Sequence, residues 1–392
     1  MADYRYLIVG GGMTADAAVQ GIRQVDPEGS IGLFGAESHP PYNRPPLSKS
    51  VWQGKPLDTI WRGTEGKKVA LHLDCQVEAL DLQNKRVRDA AGDVHRFEKL
   101  LLATGGTPRR LPFGDGEVIY YRTVDDYRRL RALADEGRRL AVVGGGFIGS
   151  EVAAALAMNG HEVVMAFPGE SIGSRLFPPD LARFVTDTFR RQGVEMRAGE
   201  PVTGLRRDGD QVVLATRDGQ TIVAGGVVAG IGIQPNVELA QAAGLAVDNG
   251  VVVDELLRAG HPDVYAAGDV ASFYSPALGT RLRVEHEDNA NTMGQAAGRS
   301  MAGEPTPYHH LPFFYSDLFD LGYEAVGELD SRLETVADWQ EPYRKGVVYY
   351  LREGRVRGVL LWNVWDQVEN ARKIIAEAGP FRAADLQGRL PA

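Results

Sequence analysis

Cysteine is almost missing from this chain: Cys75 is the only one in 392 residues. No disulfide framework and no internal dithiol relay can be built from it. It lies in Val69-Ala-Leu-His-Leu-Asp-Cys-Gln-Val77, which reads as strand, so a buried core cysteine is expected. An excess of positive charge is also missing. There are 43 Lys and Arg against 52 Asp and Glu, a net charge of −9. Nucleic-acid binders carry a basic footprint, so that class is set aside. The local pairs Arg109-Arg110, Arg128-Arg129, Arg138-Arg139 and Arg190-Arg191 read as solvated faces. No apolar run approaches membrane-spanning length. No leader is read ahead of the strand that begins near Tyr4, and a cytoplasmic location is expected. His309-His310 has no acidic or cysteine partners at ligand spacing, so no metal site is expected.

Glycine, in contrast, is abundant, with 47 residues. Two glycine-rich turns each end an apolar strand and open a helix: Tyr6-Leu-Ile-Val-Gly-Gly-Gly-Met-Thr-Ala15 and Leu140-Ala-Val-Val-Gly-Gly-Gly-Phe-Ile-Gly149. Gly10 and Gly144 suit a tight turn that a side chain would forbid. Gly12 and Gly146 let the backbone approach a pyrophosphate, and the following helix directs its N–H groups at it. Ala15 and Gly149 are small enough for close helix–strand packing. One such turn is weak evidence. Two in one chain imply two dinucleotides and electron transfer between them.

The order of the pieces predicts an α/β protein with two Rossmann-like dinucleotide-binding domains, the second inserted in the first. A C-terminal α+β domain follows. The first domain takes 1–112 and 244–308, the second 113–243, and the last 309–392. The strand Ile31–Phe34 leads to Glu37, where a carboxylate can bind an adenosine ribose. The strand Glu162–Phe167 leads likewise to Glu170. Asp263-Val-Tyr-Ala-Ala-Gly-Asp-Val270 reads as a strand that completes the first domain. Alternating residues at 346–351 and 356–362 predict a small antiparallel sheet, covered by a helix at about 365–378.

At this point several motifs converge. They are Pro41-Tyr-Asn-Arg-Pro-Pro-Leu-Ser-Lys49, Ala103-Thr-Gly-Gly-Thr-Pro108, Gly144-Gly-Gly-Phe-Ile-Gly-Ser-Glu151, Ala267-Gly-Asp269, Arg283-Val-Glu-His286, Leu361-Trp-Asn363 and Ala371-Arg-Lys-Ile-Ile375. The chain resembles the flavin-dependent pyridine nucleotide oxidoreductases of the ferredoxin-reductase type, in their apoptosis-inducing-factor-like branch. The resemblance spans nearly the whole chain and implies an FAD domain, an NAD(H) domain and a C-terminal interface domain. It implies FAD contacts from Gly10, Gly12, Met13, Thr14, Glu37, Arg44, Lys49, Val77, Arg122, Asp269, Glu285, His286, Glu287 and Tyr315. Around the nicotinamide cofactor it implies Gly145, Gly146, Phe147, Ile148, Glu151, Glu170, Gly232, Glu285, His286, Glu324 and Asn363. Lys49 is expected to steady the negative charge of reduced flavin, with Glu151 as its carboxylate partner. Because Lys49 falls in the first domain and Glu151 in the second, the pair is expected to tie the two together. Phe147 is placed to act as a movable lid over the ring.

Certain positions depart from the family pattern. The ribose acids stand one position late, behind Ala36 and Gly169. An acid disfavours the extra phosphate of NADPH, so NADH is expected, and Arg175 leaves NADPH open. Only about 15 residues separate Asp330 from Gly346, so the long insertion of the eukaryotic apoptosis factors is lacking. The expected function is hydride transfer from NADH to FAD, then electrons to an unidentified acceptor, either a ferredoxin-like protein or a small molecule such as a quinone. Two alternatives stand beside it. One is a redox-gated NADH-sensing flavoprotein with slow turnover. The other is an enzyme like monodehydroascorbate reductase, which Leu311-Pro-Phe-Phe-Tyr-Ser316 also resembles. That family uses an arginine after its Glu-His motif, and here Asn291 takes the place. A homodimer is left open, and no membrane span or nucleic-acid partner is expected.

Overall fold

The computed structural model describes residues 2–391. They form two compact units. The first holds the residues up to Asn43, Asp58–Thr107 and Gln234–Phe313; the second holds Arg44–Leu57, Pro108–Ile233 and Phe314 onward.

The first unit is built on a sheet whose central strands are parallel. Its order runs Arg258–His261, Val264–Ala266, Val94–Leu102, Ala2–Val9, Ile31–Phe34, Ala70–His72. Tyr6 pairs with Ile31 and Val9 with both Phe34 and Leu102, so Leu7 and Ile8 are wholly buried. A run of apolar residues without alternation fits a strand covered on both faces. The strand Val264–Ala266 joins the sheet alongside Leu100–Leu102, although about 160 residues separate them in the chain.

One face is covered by the helices Met13–Val25 and Glu287–Met301, which cross backbone to backbone. A Cβ at Gly294 would stand 2.4 Å from the Thr14 carbonyl oxygen, and one at Gly298 would stand 2.1 Å from that of Ala18. This crossing fixes the start of the second helix, which carries His286 at its N-cap. Gly298→Ala must push the helices apart and is expected to cost about 1–3 kcal/mol, read as a lower urea midpoint.

Within the same unit Asp16 is fully buried on the Met13 helix. It accepts hydrogen bonds from Arg62 Nε (2.8 Å), Lys67 Nζ (2.5 Å) and Thr64 Oγ1 (2.6 Å). Burial pushes its carboxyl pKa up, but these three donors outweigh that and hold it below the usual value. The network fastens the loop around residues 62–67 to the helix. Arg62 reaches on to Asn43 and Asn291.

The second unit contains a five-stranded parallel sheet, in the order Glu195–Ala198, Val163–Phe167, Leu140–Val143, Gly226–Ala229, Val118–Tyr120. It also contains a five-stranded sheet in the order Phe313–Leu318, Leu321–Gly327, Arg355–Trp362, Lys345–Arg352, Glu334–Glu341. The helix Val368–Ala376 packs on that sheet through Ala371, Ile374 and Ile375, and is shorter at both ends than the sequence predicts. Phe177 packs edge-on against Tyr323 and Trp362 of that sheet.

Two sequence expectations change. Cys75 does not lie within a strand but on the link between Ala70–His72 and Val77–Asp81. It is half-buried rather than core, because its Sγ turns to the Asp89 carboxylate. The segment Arg44–Leu57, which carries Lys49, belongs to the second unit, although the first domain was expected to contain it.

Candidate active site

The two glycine turns have the same construction. Gly10 N–H donates to Phe34 O (2.8 Å), and Gly144 N–H donates to Ala166 O (3.0 Å). Gly10 has φ +128° and Gly144 φ +118°, a region that glycine alone enters easily. A Cβ at Gly10 would stand 2.0 Å from Ala103 O, and one at Gly144 would stand 2.3 Å from Gly230 O. Gly12 and Gly146 differ from these. Each is the N-cap of its helix, no side chain caps either helix start, and a Cβ at either would meet nothing within 4 Å. The first pair of glycines is required by the chain itself. The second pair leaves each helix N-terminus without a side-chain cap and with open space beside it.

In the second unit, Lys49 Nζ lies 2.6 Å from Glu151 Oε1. Glu151 is 4% exposed and Lys49 12%. Ser316 Oγ donates to Glu151 Oε1 and Ser48 Oγ donates to Oε2, both at 2.6 Å. A buried carboxylate loses its hydration, and here three donors replace it. The Lys49 ammonium also lies over the Tyr315 ring, 5.1 Å from its centroid. The loop is anchored just beside the lysine. Leu47 O accepts from the Tyr121 hydroxyl (2.5 Å) and from Trp52 Nε1 (2.9 Å). Trp52 packs edge-on against Tyr127, and Asn159 Nδ2 donates to Trp52 O. This anchoring is why Lys49 belongs with Glu151 in one unit. The ion pair is therefore internal to that unit.

Phe147 opens the helix Phe147–Met158 and meets Phe314 edge-on, with centroids 5.3 Å apart. Beside it Ile148 is exposed and Gly145 packs on Phe167. Glu170 is exposed after the strand Val163–Phe167. Gly232 O accepts from Arg109 N–H (2.9 Å). Glu324 has a buried Oε2 without a hydrogen-bond partner, and burial together with Asp366 raises its carboxyl pKa. Asn363 commits its side chain to backbone: Oδ1 accepts from Gly322 N–H and Nδ2 donates to Arg344 O. Arg44 Nη1 donates to Arg122 O (2.9 Å).

In the first unit, Thr14 meets the Gly268–Val270 turn that carries Asp269, and a Cβ on Gly268 would stand 2.2 Å from Thr14 Oγ1. Arg283 Nη1 donates to Asp269 O and pairs with Glu285 at 2.6 Å. Tyr42 donates its hydroxyl proton to Glu37 (2.5 Å). Met13 and Val77 are buried, and Glu287 begins its helix. The expected FAD set therefore divides. Gly10, Gly12, Met13, Thr14, Glu37, Val77, Asp269, Glu285, His286 and Glu287 fall in the first unit, and Arg44, Lys49, Arg122 and Tyr315 in the second. Of the expected NAD set, Glu285 and His286 fall in the first unit and the rest in the second.

Residues 4–294 match the family model for pyridine nucleotide-disulphide oxidoreductases. The chain belongs to that family. Residues 297–342 and 337–377 match the C-terminal domain of apoptosis-inducing factor, which places the chain in the branch of such factors and ferredoxin reductases. It is 34% identical over 416 residues to apoptosis-inducing factor 1, mitochondrial, of Dictyostelium discoideum, covering 95% of this chain and 78% of that protein. It is 33% identical over 382 residues to the ferredoxin–NAD(+) reductase component of the anthranilate 1,2-dioxygenase system of Burkholderia cepacia, covering 95% and 94%. Among solved structures it is similar to the covalent putidaredoxin reductase–putidaredoxin complex, with TM-score 0.89, 31% identity, and coverage of 97% of this chain and 94% of that one.

Members of this oxidoreductase family use FAD and NAD(P)H. The residues present suit two such groups, because each open glycine cradle leaves room where a Cβ would have stood. Cys75 is the only cysteine, so no disulphide can form within the chain, and burial raises its thiol pKa. Among the described residues no helix is long and apolar enough to cross a membrane.

Sequence reasoning missed Ser48 and Ser316, the two hydroxyls on Glu151. Each adjoins a residue already singled out, Lys49 and Tyr315. It also missed Trp52 and Tyr121, whose aromatic rings carry no local mark of a shared anchor.

Proposed function

We propose that this protein is an NADH-dependent FAD reductase that passes electrons singly to a ferredoxin-like protein. The observation that carries the reading is the buried Lys49–Glu151 pair, in the unit that also holds the second open glycine cradle. A lysine held in this way is placed to meet negative charge that develops during a reaction. Gly10, Gly12, Thr14 and Asp269 would hold FAD, and Gly146, Glu170 and Glu324 would hold NADH. When bound, the flavin supplies an acceptor for two electrons that can be released one at a time. Phe147 would fill the nicotinamide position until NADH arrives. The lack of a second cysteine sends the electrons to a separate acceptor. A relative named as a ferredoxin–NAD(+) reductase component and a neighbour solved with putidaredoxin support an iron–sulfur protein in that role.

The ascorbyl-radical reading is weaker. The position expected to hold arginine is Asn291, whose Oδ1 already accepts from Arg62. Rapid-mixing spectroscopy tests the main reading. The yellow protein should bleach on NADH addition and recover colour quickly with a ferredoxin. A chain that cannot be reconstituted with flavin would end this reading. A long-lived reduced complex with poor turnover would favour the redox sensor.

The nucleotide choice is tested separately. Glu170→Arg exchanges a repulsive charge for an attractive one at the proposed ribose position. It should move the NADH-to-NADPH preference by about tenfold, or about 1.4 kcal/mol. An unchanged ratio of kcat/KM values removes Glu170 from that role.

A further inference from the structure

Beside the Lys49–Glu151 pair lies a small, partly open cavity of about 20 Å³, whose polar lining comes from Ser48, Lys49, Trp52, Glu151, Asn159 and Asp317 and whose remaining wall is mostly apolar. That is room for a water molecule, and the lining offers it polar partners. Asp317, on the strand Phe313–Leu318, is exposed as a residue, while its carboxyl is partly desolvated beside the pair. The cavity therefore lies between an enclosed ion pair and a carboxylate in contact with solvent, all inside the second unit.

This arrangement matters because of the stoichiometry of the proposed function, on which the inference rests. NADH gives up two electrons and a proton as hydride. Two one-electron acceptors take only the electrons, so one proton is left over: NADH + 2 A(ox) → NAD⁺ + H⁺ + 2 A(red). We propose that this proton reaches solvent through Lys49, Glu151, a water in the cavity, and Asp317.

An N–H bond of the Lys49 ammonium breaks, and the proton crosses to Glu151 Oε1. Glu151 passes a proton to the water, and the water passes one of its own to the Asp317 carboxylate, which releases it to bulk. The Lys49 amine then takes up the proton that is left once the two electrons of the hydride have gone on to the acceptors. No electron moves along this route. The charged groups facing Asp317 suit a relay. Desolvation raises its carboxyl pKa, the Lys49 cation lowers it and the Glu151 anion raises it, with a net upward shift. Asp317 in turn helps to raise the pKa of the buried Tyr323 hydroxyl. A terminal carboxylate with a raised pKa accepts a proton more readily near neutral pH.

Wild type, Asp317→Asn and Asp317→Glu are reduced with NADH and reoxidised with ferricyanide as the one-electron probe. The rate of acid appearance is read with a pH dye in weakly buffered H₂O and D₂O. Asp317→Asn should slow acid release by at least about tenfold and enlarge the solvent isotope effect, and Asp317→Glu should restore both. Wild-type release in Asp317→Asn overturns the route. A second readout needs no flavin: the Asp317 carboxyl is titrated by ¹³C NMR in apoprotein. Its midpoint should fall in Glu151→Gln, and an unmoved midpoint also overturns the route. A colourless chain that ignores NADH defeats the proposed function, whereas a yellow, NADH-reactive protein with unaltered Asp317→Asn defeats only the relay.

Discussion

Lys49→Met is expected to keep its bound FAD while its bleaching by NADH slows by about 10²–10³-fold, the usual loss when one preorganised charge is removed from a reacting centre. Methionine preserves the apolar stem and removes the ammonium that lies 2.6 Å from Glu151. The same change affects stability. Glu151 keeps its two serine donors but loses its counter-charge while 4% exposed. Breaking one side of a buried pair costs about 3–5 kcal/mol. The denaturant midpoint should therefore fall along with the reduction rate. A second variant separates these effects. Glu151→Gln also disrupts the pair but retains the cation, so it should share the stability loss and lose much less of the rate. If Lys49→Met were reduced by NADH at the wild-type rate, Lys49 would be a structural lysine only.

Asp16→Ala should be the most destabilising change in the first unit. It strands two cations, Arg62 and Lys67, in the space around a fully buried position, and it also removes the acceptor for Thr64. About 3–5 kcal/mol is expected, by the same reasoning as for any half-broken buried pair. The pH dependence provides a separate test. The folded-state pKa of Asp16 is held below its ordinary 3.8, so its contribution is present above that value and is lost as pH falls through the folded pKa. Urea unfolding of wild type and Asp16→Ala should differ most near neutral pH and converge as the pH drops below about 3.8. A constant difference across that range would show that the lost stability comes from packing and not from charge. Asp16→Asn distinguishes the two further, because it preserves the shape but removes the charge and leaves a single oxygen to accept from donors that now meet both carboxylate oxygens.

The glycine turns could be read from sequence because their requirements are local. Gly10 and Gly144 occupy backbone angles closed to other residues, and the strand before and helix after each are apolar over a short span. The C-terminal antiparallel strands were legible from their short apolar and aromatic runs, although 346–351 and 358–362 prove buried along their whole length and not on one alternating face. Asp16 was not legible. An acid in the first turn of a helix reads as an ordinary partner of the helix dipole. Only the return of the chain at Arg62, Thr64 and Lys67 shows that it organises a loop. Cys75 was placed in a strand because its neighbours are apolar, yet the chain turns there and the thiol meets Asp89.

Sequence alone therefore determined the family, the two nucleotide-binding repeats and the lack of an internal dithiol. All three depend on residues close together in the chain or on a residue count. Tertiary structure decided which unit holds Lys49. The lysine's loop is anchored by Trp52 and by Leu47 O against Tyr121, about 70 residues away. It also decided that Asn363 serves the backbone, and that Asp317 shares a cavity with the ion pair. Contacts of this kind form only after distant segments pack, and the free energy that selects among them comes from burial and desolvation, which no short stretch of sequence contains.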